Sequence, residues 1–154
     1  MTPNIVHLDN KKVIGLKSQT IQHQFENIVT LWRQFMPRKH EIKNTINNEL
    51  IALQDYSEFG NFEASYDIWA CVEVSDFDTI PEHMLSYNIP NGLYAVFLQK
   101  GMDAGGTYRR IMTEWLPKSG YAIDDRPHFQ IMGDKYKNGS ADSEEDFYVP
   151  IKGL

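Results

Sequence analysis

The chain carries one cysteine, Cys71, so no disulfide forms within it and nothing argues for an oxidising compartment. No apolar run approaches the ~20 residues of a membrane span, and Met1-Thr2-Pro3-Asn4 lacks the basic and apolar blocks of a signal peptide. A cytoplasmic protein without membrane association is expected. Positive charge is scarce. A net charge of −6 opposes phosphate backbones, so direct nucleic-acid binding is not expected, and the short cluster Arg38-Lys39-His40 reads as a solvated helix end. The five histidines show no metal-ligand spacing, and neither a metal nor a cofactor is expected. Gly101, Gly105 and Gly106 fit neither a dinucleotide fingerprint nor a P-loop; residues 101–106 read as a tight turn that needs positive φ. No Ser, His and Asp arrangement carries a nucleophile signature.

What is present is an ordinary globular composition, 42% hydrophobic and 23% charged over 154 residues, which suits one domain. Residues 11–18 read as a strand. Phe25, Ile28, Val29, Leu31, Trp32, Phe35 and Met36 recur at helical spacing until Pro37, and residues 38–49 read as a loop. Residues 50–56 and 66–74 read as strands joined by a turn over residues 57–63. In the longer one Asp67, Trp69, Cys71 and Glu73 share a face, opposite Tyr66, Ile68, Ala70, Val72 and Val74. After a connector over residues 75–84, Gly92 opens a strand through Leu98. Tyr108, Ile111, Met112 and Trp115 then mark one face of a helix that ends at Pro117. Strands follow over residues 127–133 and 146–151, and Pro150, lacking a ladder donor, is expected at an edge or end.

The order strand, helix, strand, strand thus occurs over residues 11–74 and again over 92–152. Such a repeat favours an α+β domain: a largely antiparallel sheet with two helices on one face and an approximate two-fold axis between the halves. A groove is expected at the open face or at the seam between the halves, because small-molecule sites prefer concave junctions.

Four stretches carry a resemblance: Ile89-Pro90-Asn91-Gly92-Leu93-Tyr94-Ala95-Val96-Phe97 with Gly101, then Glu114-Trp115-Leu116-Pro117-Lys118-Ser119-Gly120-Tyr121, then Tyr148-Val149-Pro150-Ile151-Lys152, with residues 66–74 as a central strand. In this order they resemble the GyrI-like small-molecule-binding family, which includes effector-binding domains of AraC-type and multidrug-sensing MerR-type transcription regulators. The resemblance implies a duplicated SHS2-type fold over residues 1–154 as a single domain, with no DNA-binding module expected. It also implies a ring-lined groove that holds buried carboxylates and takes lipophilic, often cationic, aromatic molecules. In one place the sequence departs from the family. Where relatives commonly carry Phe, Glu, any residue and Tyr, this chain has Phe129-Gln130-Ile131-Met132, an amide for an acid and a thioether for a phenol. Asp146 sits where many relatives place a second acid.

The candidate ligand-binding residues are Trp32, Met36, Trp69, Glu73, Tyr108, Met112, Trp115, Gln130, Met132, Asp146 and Tyr148. Trp32 and Trp115 lie on apolar helix faces, where core packing is the plainer reading; the duplication turns both faces towards one central region. Alternation separates Asp146 and Tyr148 from Phe147, Val149 and Ile151, so the apolar set should pack beneath the helices and leave the other two for the open face or groove. Trp69 and Glu73 share a mixed face. Met36, Met112 and Met132 suit an adaptable wall, although core filling explains each alone. The expected function is a stand-alone, non-enzymatic binding protein for lipophilic aromatic, cationic compounds. One alternative is a protein partner, as a DNA gyrase inhibitor or a co-regulator of a transcription regulator. The other is hydrolysis of electrophilic small molecules, against which Gln130 argues.

Overall fold

The computed structural model describes residues 1–21, 24–57, 59 and 63–154, so the turn read over residues 57–63 and His23 fall partly or wholly outside the described residues. The duplication is present as β2 (Lys11–Thr20), α1 (Phe25–Phe35), β3 (Leu50–Tyr56) and β4 (Tyr66–Glu73), then β6 (Gly92–Lys100), α2 (Ala104–Arg110), β8 (His128–Met132) and β9 (Glu144–Gly153). In the sheet these strands run β6-β9-β8-β3-β4-β2, every pair antiparallel. The halves meet where β3 pairs with β8, with Ala52 opposite Gln130, and the approximate two-fold passes there. No helix among the described residues is long and apolar enough to cross a membrane.

Local sequence explains the helices. In α1, Leu31 and Phe35 are one turn apart and buried on the sheet, and after Phe35 the chain tightens into a 3-10 turn, Met36–Glu41, that opens the stretch read as a loop. Pro37 has no N–H to continue the α ladder. The Gly-rich stretch behaves differently from expectation. Only Gly101 takes positive φ, +85°, whereas Gly105 and Gly106 lie inside the first turn of α2. Asp103 caps that turn by accepting the Gly106 N–H at 3.0 Å, which compensates for two weak helix formers. Beyond α2 the helix widens into a π turn, Ile111–Trp115, with the Leu116 N–H bonded to the Ile111 carbonyl, before a short 3-10 turn at Leu116–Lys118.

Three strands escaped the sequence pattern: β1 (Asn4–Leu8), β5 (Leu85–Ile89) and β7 (Tyr121–Ile123). The first two are exchanged. β1 precedes β2 but pairs with β6, and β5 precedes β6 but pairs with β2, so they sit at opposite ends of the sheet. Yet only Asp9 and Asn10 join β1 to β2, a reach of about 11 Å from Leu8 to Lys11. The sheet must therefore coil until its two ends meet. The Asn91 N–H donates to Asn10 Oδ1 at 2.7 Å, joining the β5–β6 turn to the β1–β2 turn. Pro150 corrects the edge expectation: β9 continues to Gly153, and Pro150 stands opposite Tyr94. Its carbonyl accepts the Asp124 N–H, so its missing donor falls in the gap where β8 stops and β7 begins.

Coiling gives the sheet two unlike faces. On one, Ile14, Ile68, Ala70 and Val72 pack under α1, and Ala95, Phe97, Phe147, Val149 and Ile151 pack under α2. The other has no helix over it, yet Val13, Leu53, Tyr94 and Phe129 there are wholly buried. They close on one another across the coil, and Gly15 lets β2 approach β4, since a Cβ at that position would strike the Ala70 carbonyl and Cys71. Arg126 lies over the Tyr94 ring at 4.6 Å and pairs with Asp124 at 2.7 Å.

Candidate functional site

Because α1 covers β2 and β4 while α2 covers β6 and β9, the two central strands are left between the helices as the floor of a trough. Alternation sets that floor: Leu50, Ala52, Gln54 and Tyr56 on β3, and His128, Gln130 and Met132 on β8. Among these only His128 is fully buried. The walls follow from the two-fold. Buried Thr107 on α2 and Ile111 in the π turn that continues it are followed by Tyr108 and Met112; buried Leu31 and Phe35 on α1 are followed, at the same offsets, by Trp32 and Met36. Tyr108 reaches His128 on the floor, so this flank of α2 faces the trough, and the two-fold turns the matching flank of α1 towards it. Phe25 and Val29 extend that flank at helical spacing. They and Met36 are 67, 48 and 45% exposed, an uncovered apolar line.

One end of the trough is a box of rings. Tyr56 meets Tyr66 at 4.6 Å, Phe59 at 5.4 Å and His128 at 5.2 Å between centroids, and Phe59 stacks on His128 at 5.0 Å. The Tyr108 hydroxyl and His128 Nδ1 share a hydrogen bond of 2.7 Å. Burial, with Arg126 nearby, pushes the imidazole down to about 3, so it is neutral at pH 7. Burial raises the phenols of Tyr56, Tyr66 and Tyr108.

The middle of the floor is neutral as well. Gln54 and Gln130 exchange two amide hydrogen bonds, each 2.9 Å. An acid stands on the helix-side face of β9: Glu145, paired in register with Gln99. Burial, then the adjacent Asp146 charge, push its carboxyl up to about 7. Gln99 is buried and its Oε1 has no partner.

The structure divides the sequence candidates between the two faces. Trp32, Met36, Tyr108, Met112, Gln130 and Met132 border the trough. Trp115 packs edge-on to Phe97 at 5.1 Å and stacks on Tyr121 at 6.3 Å, within the core under α2. Trp69, Glu73, Asp146 and Tyr148 lie on the opposite, coiled face. There Trp69 is buried against Tyr87 at 5.4 Å, Tyr148 stacks on Phe129 at 4.6 Å, and Glu73 pairs with Lys11 at 3.3 Å. Asp146 is half-buried, and burial raises its carboxyl. That face is filled by the protein's own side chains. Sequence reasoning passed over Phe25, Val29, Tyr56, Tyr66, His128 and Glu145. For Tyr56 and His128 the available signal was the period of two in Gln54-Asp55-Tyr56 and in residues 128–132, which places both with Gln130.

The duplicated unit, with an open trough between its two helices, is that of an effector binding protein. More narrowly, residues 4–151 match the model of the integron-associated effector binding proteins (Cass2), and the chain belongs to that family. The transcriptional regulator BrlR of Pseudomonas aeruginosa is 27% identical over 133 residues, which cover 82% of this chain and 47% of BrlR. The chain thus spans about half the length of that curated relative. Its fold is similar to that of SAV2435 bound to tetraphenylphosphonium, with a TM-score of 0.75 at 14% identity, covering 100% of this chain and 96% of the other. The C-terminal domain of EcmrR gives a TM-score of 0.72 at 17% identity, with 99% and 98% covered.

Proposed function

We propose that this protein binds lipophilic aromatic small molecules, cations among them, in the trough between α1 and α2, and that it does so as a sensor without catalysis. The observation that carries this reading is the uncovered apolar line Phe25, Val29 and Met36 on the flank of α1 that the two-fold turns towards the trough, whose one end holds the rings of Tyr56, Tyr66 and Tyr108. Apolar side chains kept in water gain free energy when a ligand covers them, about 25 cal/mol per Å². A cation over a ring face gains a further ~0.5 to 2 kcal/mol. The tetraphenylphosphonium bound to SAV2435 has this chemistry, and the regulator BrlR supports a signalling role for the bound molecule. Against catalysis, the floor offers Gln54 and Gln130, which do not exchange protons, and a His128 that stays neutral.

Tetraphenylphosphonium titrated into the 154-residue chain is expected to give a saturable change in tryptophan fluorescence at roughly micromolar concentration, about 8 kcal/mol of binding. The change should shrink in Trp32→Phe and persist in Trp69→Phe, since Trp69 is buried on the other face. No saturable signal up to near-millimolar concentration, with tetraphenylphosphonium and with a neutral aromatic of similar ring content alike, overturns the reading.

A further inference from the structure

The nature of the trough's central floor bears on which ligands it selects, and the argument rests on the binding reading above. The residues that β3 and β8 turn towards the helices carry no formal charge at pH 7. Alternation sends the nearby acids Asp55 and Asp146 to the coiled face. At the centre, Gln54 and Gln130 hold each other through a closed pair of bonds. A primary amide has two N–H donors and an oxygen with two lone pairs, so reciprocal pairing leaves each side chain one donor and one lone pair unused. Both glutamines are half-buried on the floor between the helices, so part of each side chain stays open on that side. The pair also fixes both side chains, so a ligand bonding to one of them meets a group whose rotamer entropy is already spent.

A carboxylate in this place would attract a cation and would offer no donor. The amide pair does the reverse. We propose that Gln54 and Gln130 form the specificity element of the trough: they select uncharged aromatic ligands that carry one strong hydrogen-bond acceptor, such as an oxo or carbonyl oxygen, and they make positive charge unnecessary. Cations still bind through the rings, without the preference that a central acid would impose. Among the described residues of the sheet, the acid on this face is Glu145 of β9; it stands against Gln99 and two residues from Phe147, the register partner of Gln130, which places it towards the Met132 end of the floor.

The test compares two ligands of similar ring content on the 154-residue chain by isothermal titration: triphenylphosphine oxide, neutral with a strong acceptor, and tetraphenylphosphonium, cationic with none. The wild type is expected to bind the oxide at least as tightly as the phosphonium. Gln130→Glu keeps a bond from the Gln54 amide but introduces charge and repels the acceptor; it should weaken the oxide at least tenfold and tighten the phosphonium about tenfold. Gln54→Glu places the same charge on the other partner and should act alike, which covers a failure of the first variant to fold. A wild type that prefers the phosphonium by thirtyfold or more overturns the proposal, as does a ratio unchanged in both folded variants. Absence of saturable binding by both ligands overturns the trough reading itself, and this proposal with it.

Discussion

The two faces of the sheet are made by the same strands and do opposite things. On β3, Ile51 and Leu53 point into the coiled face and are at most 1% exposed, while Ala52 and Gln54, alternating with them, stay half-open between the helices. On β8, Phe129 is wholly buried on the first side, and Gln130 lies on the second. The coiled face needs no helix because the sheet's own ends close it. The helix-side face stays open because two helices cover only the outer strands of six. On the proposed function, cohesion and recognition fall on opposite sides of one ladder, and each should be open to change without the other.

The sharpest way to break that division is Phe129→Ala. Phe129 is fully buried, stacked on Tyr148 and edge-on to Tyr94 at 5.3 Å, so the variant should lose about 3 to 5 kcal/mol in denaturant unfolding. A loss under about 1 kcal/mol would mean that the coiled face is not one continuous interior. The converse is Phe25→Ser with Val29→Thr on the exposed flank of α1. Stability should change by no more than about 0.5 kcal/mol, whereas tetraphenylphosphonium affinity should fall about tenfold, roughly 1.4 kcal/mol. Equal affinity in the folded double variant would remove α1 from the trough wall.

Glu145 sharpens the comparison on the open side. Its carboxyl sits near 7 in the folded protein against an ordinary 4.5, so between those values the folded chain holds a proton that the unfolded chain has released. Stability should therefore fall as pH rises from about 4.5 to about 7 and level off above, by about 1 kcal/mol once solvent screening is allowed for. Glu145→Gln should flatten that part of the profile in thermal melts. A decline that survives the substitution assigns it to other groups.

Much of the fold was legible because its signals are local. Alternation in residues 66–74 marked both the strand and its two faces, and the spacing of Leu31 and Phe35 marked α1. The exchanged strands were not legible: Asn4–Leu8 and Leu85–Ile89 are five residues each, with exposed positions on both sides, and their partners lie half a chain away. For the site, alternation grouped Asp146 with Tyr148 correctly but could not say which face would stay open. That depends on where the helices land and on how far the sheet coils. Phe25 and Val29 fell within the helical apolar pattern and were not singled out, because periodicity marks an apolar flank without showing what covers it. The turn of Gly101 was readable; the helical Gly105 and Gly106 were not, since the cap from Asp103 outweighs their intrinsic preference.

The traded edge strands have a consequence for how the molecule can be divided. A gene copied end to end ordinarily yields units that could live apart, yet here each copy would leave carrying a ribbon that belongs to its sibling's border. Cutting the chain in the connector before β5 should yield fragments that fold only when mixed, because neither border is complete until both are present.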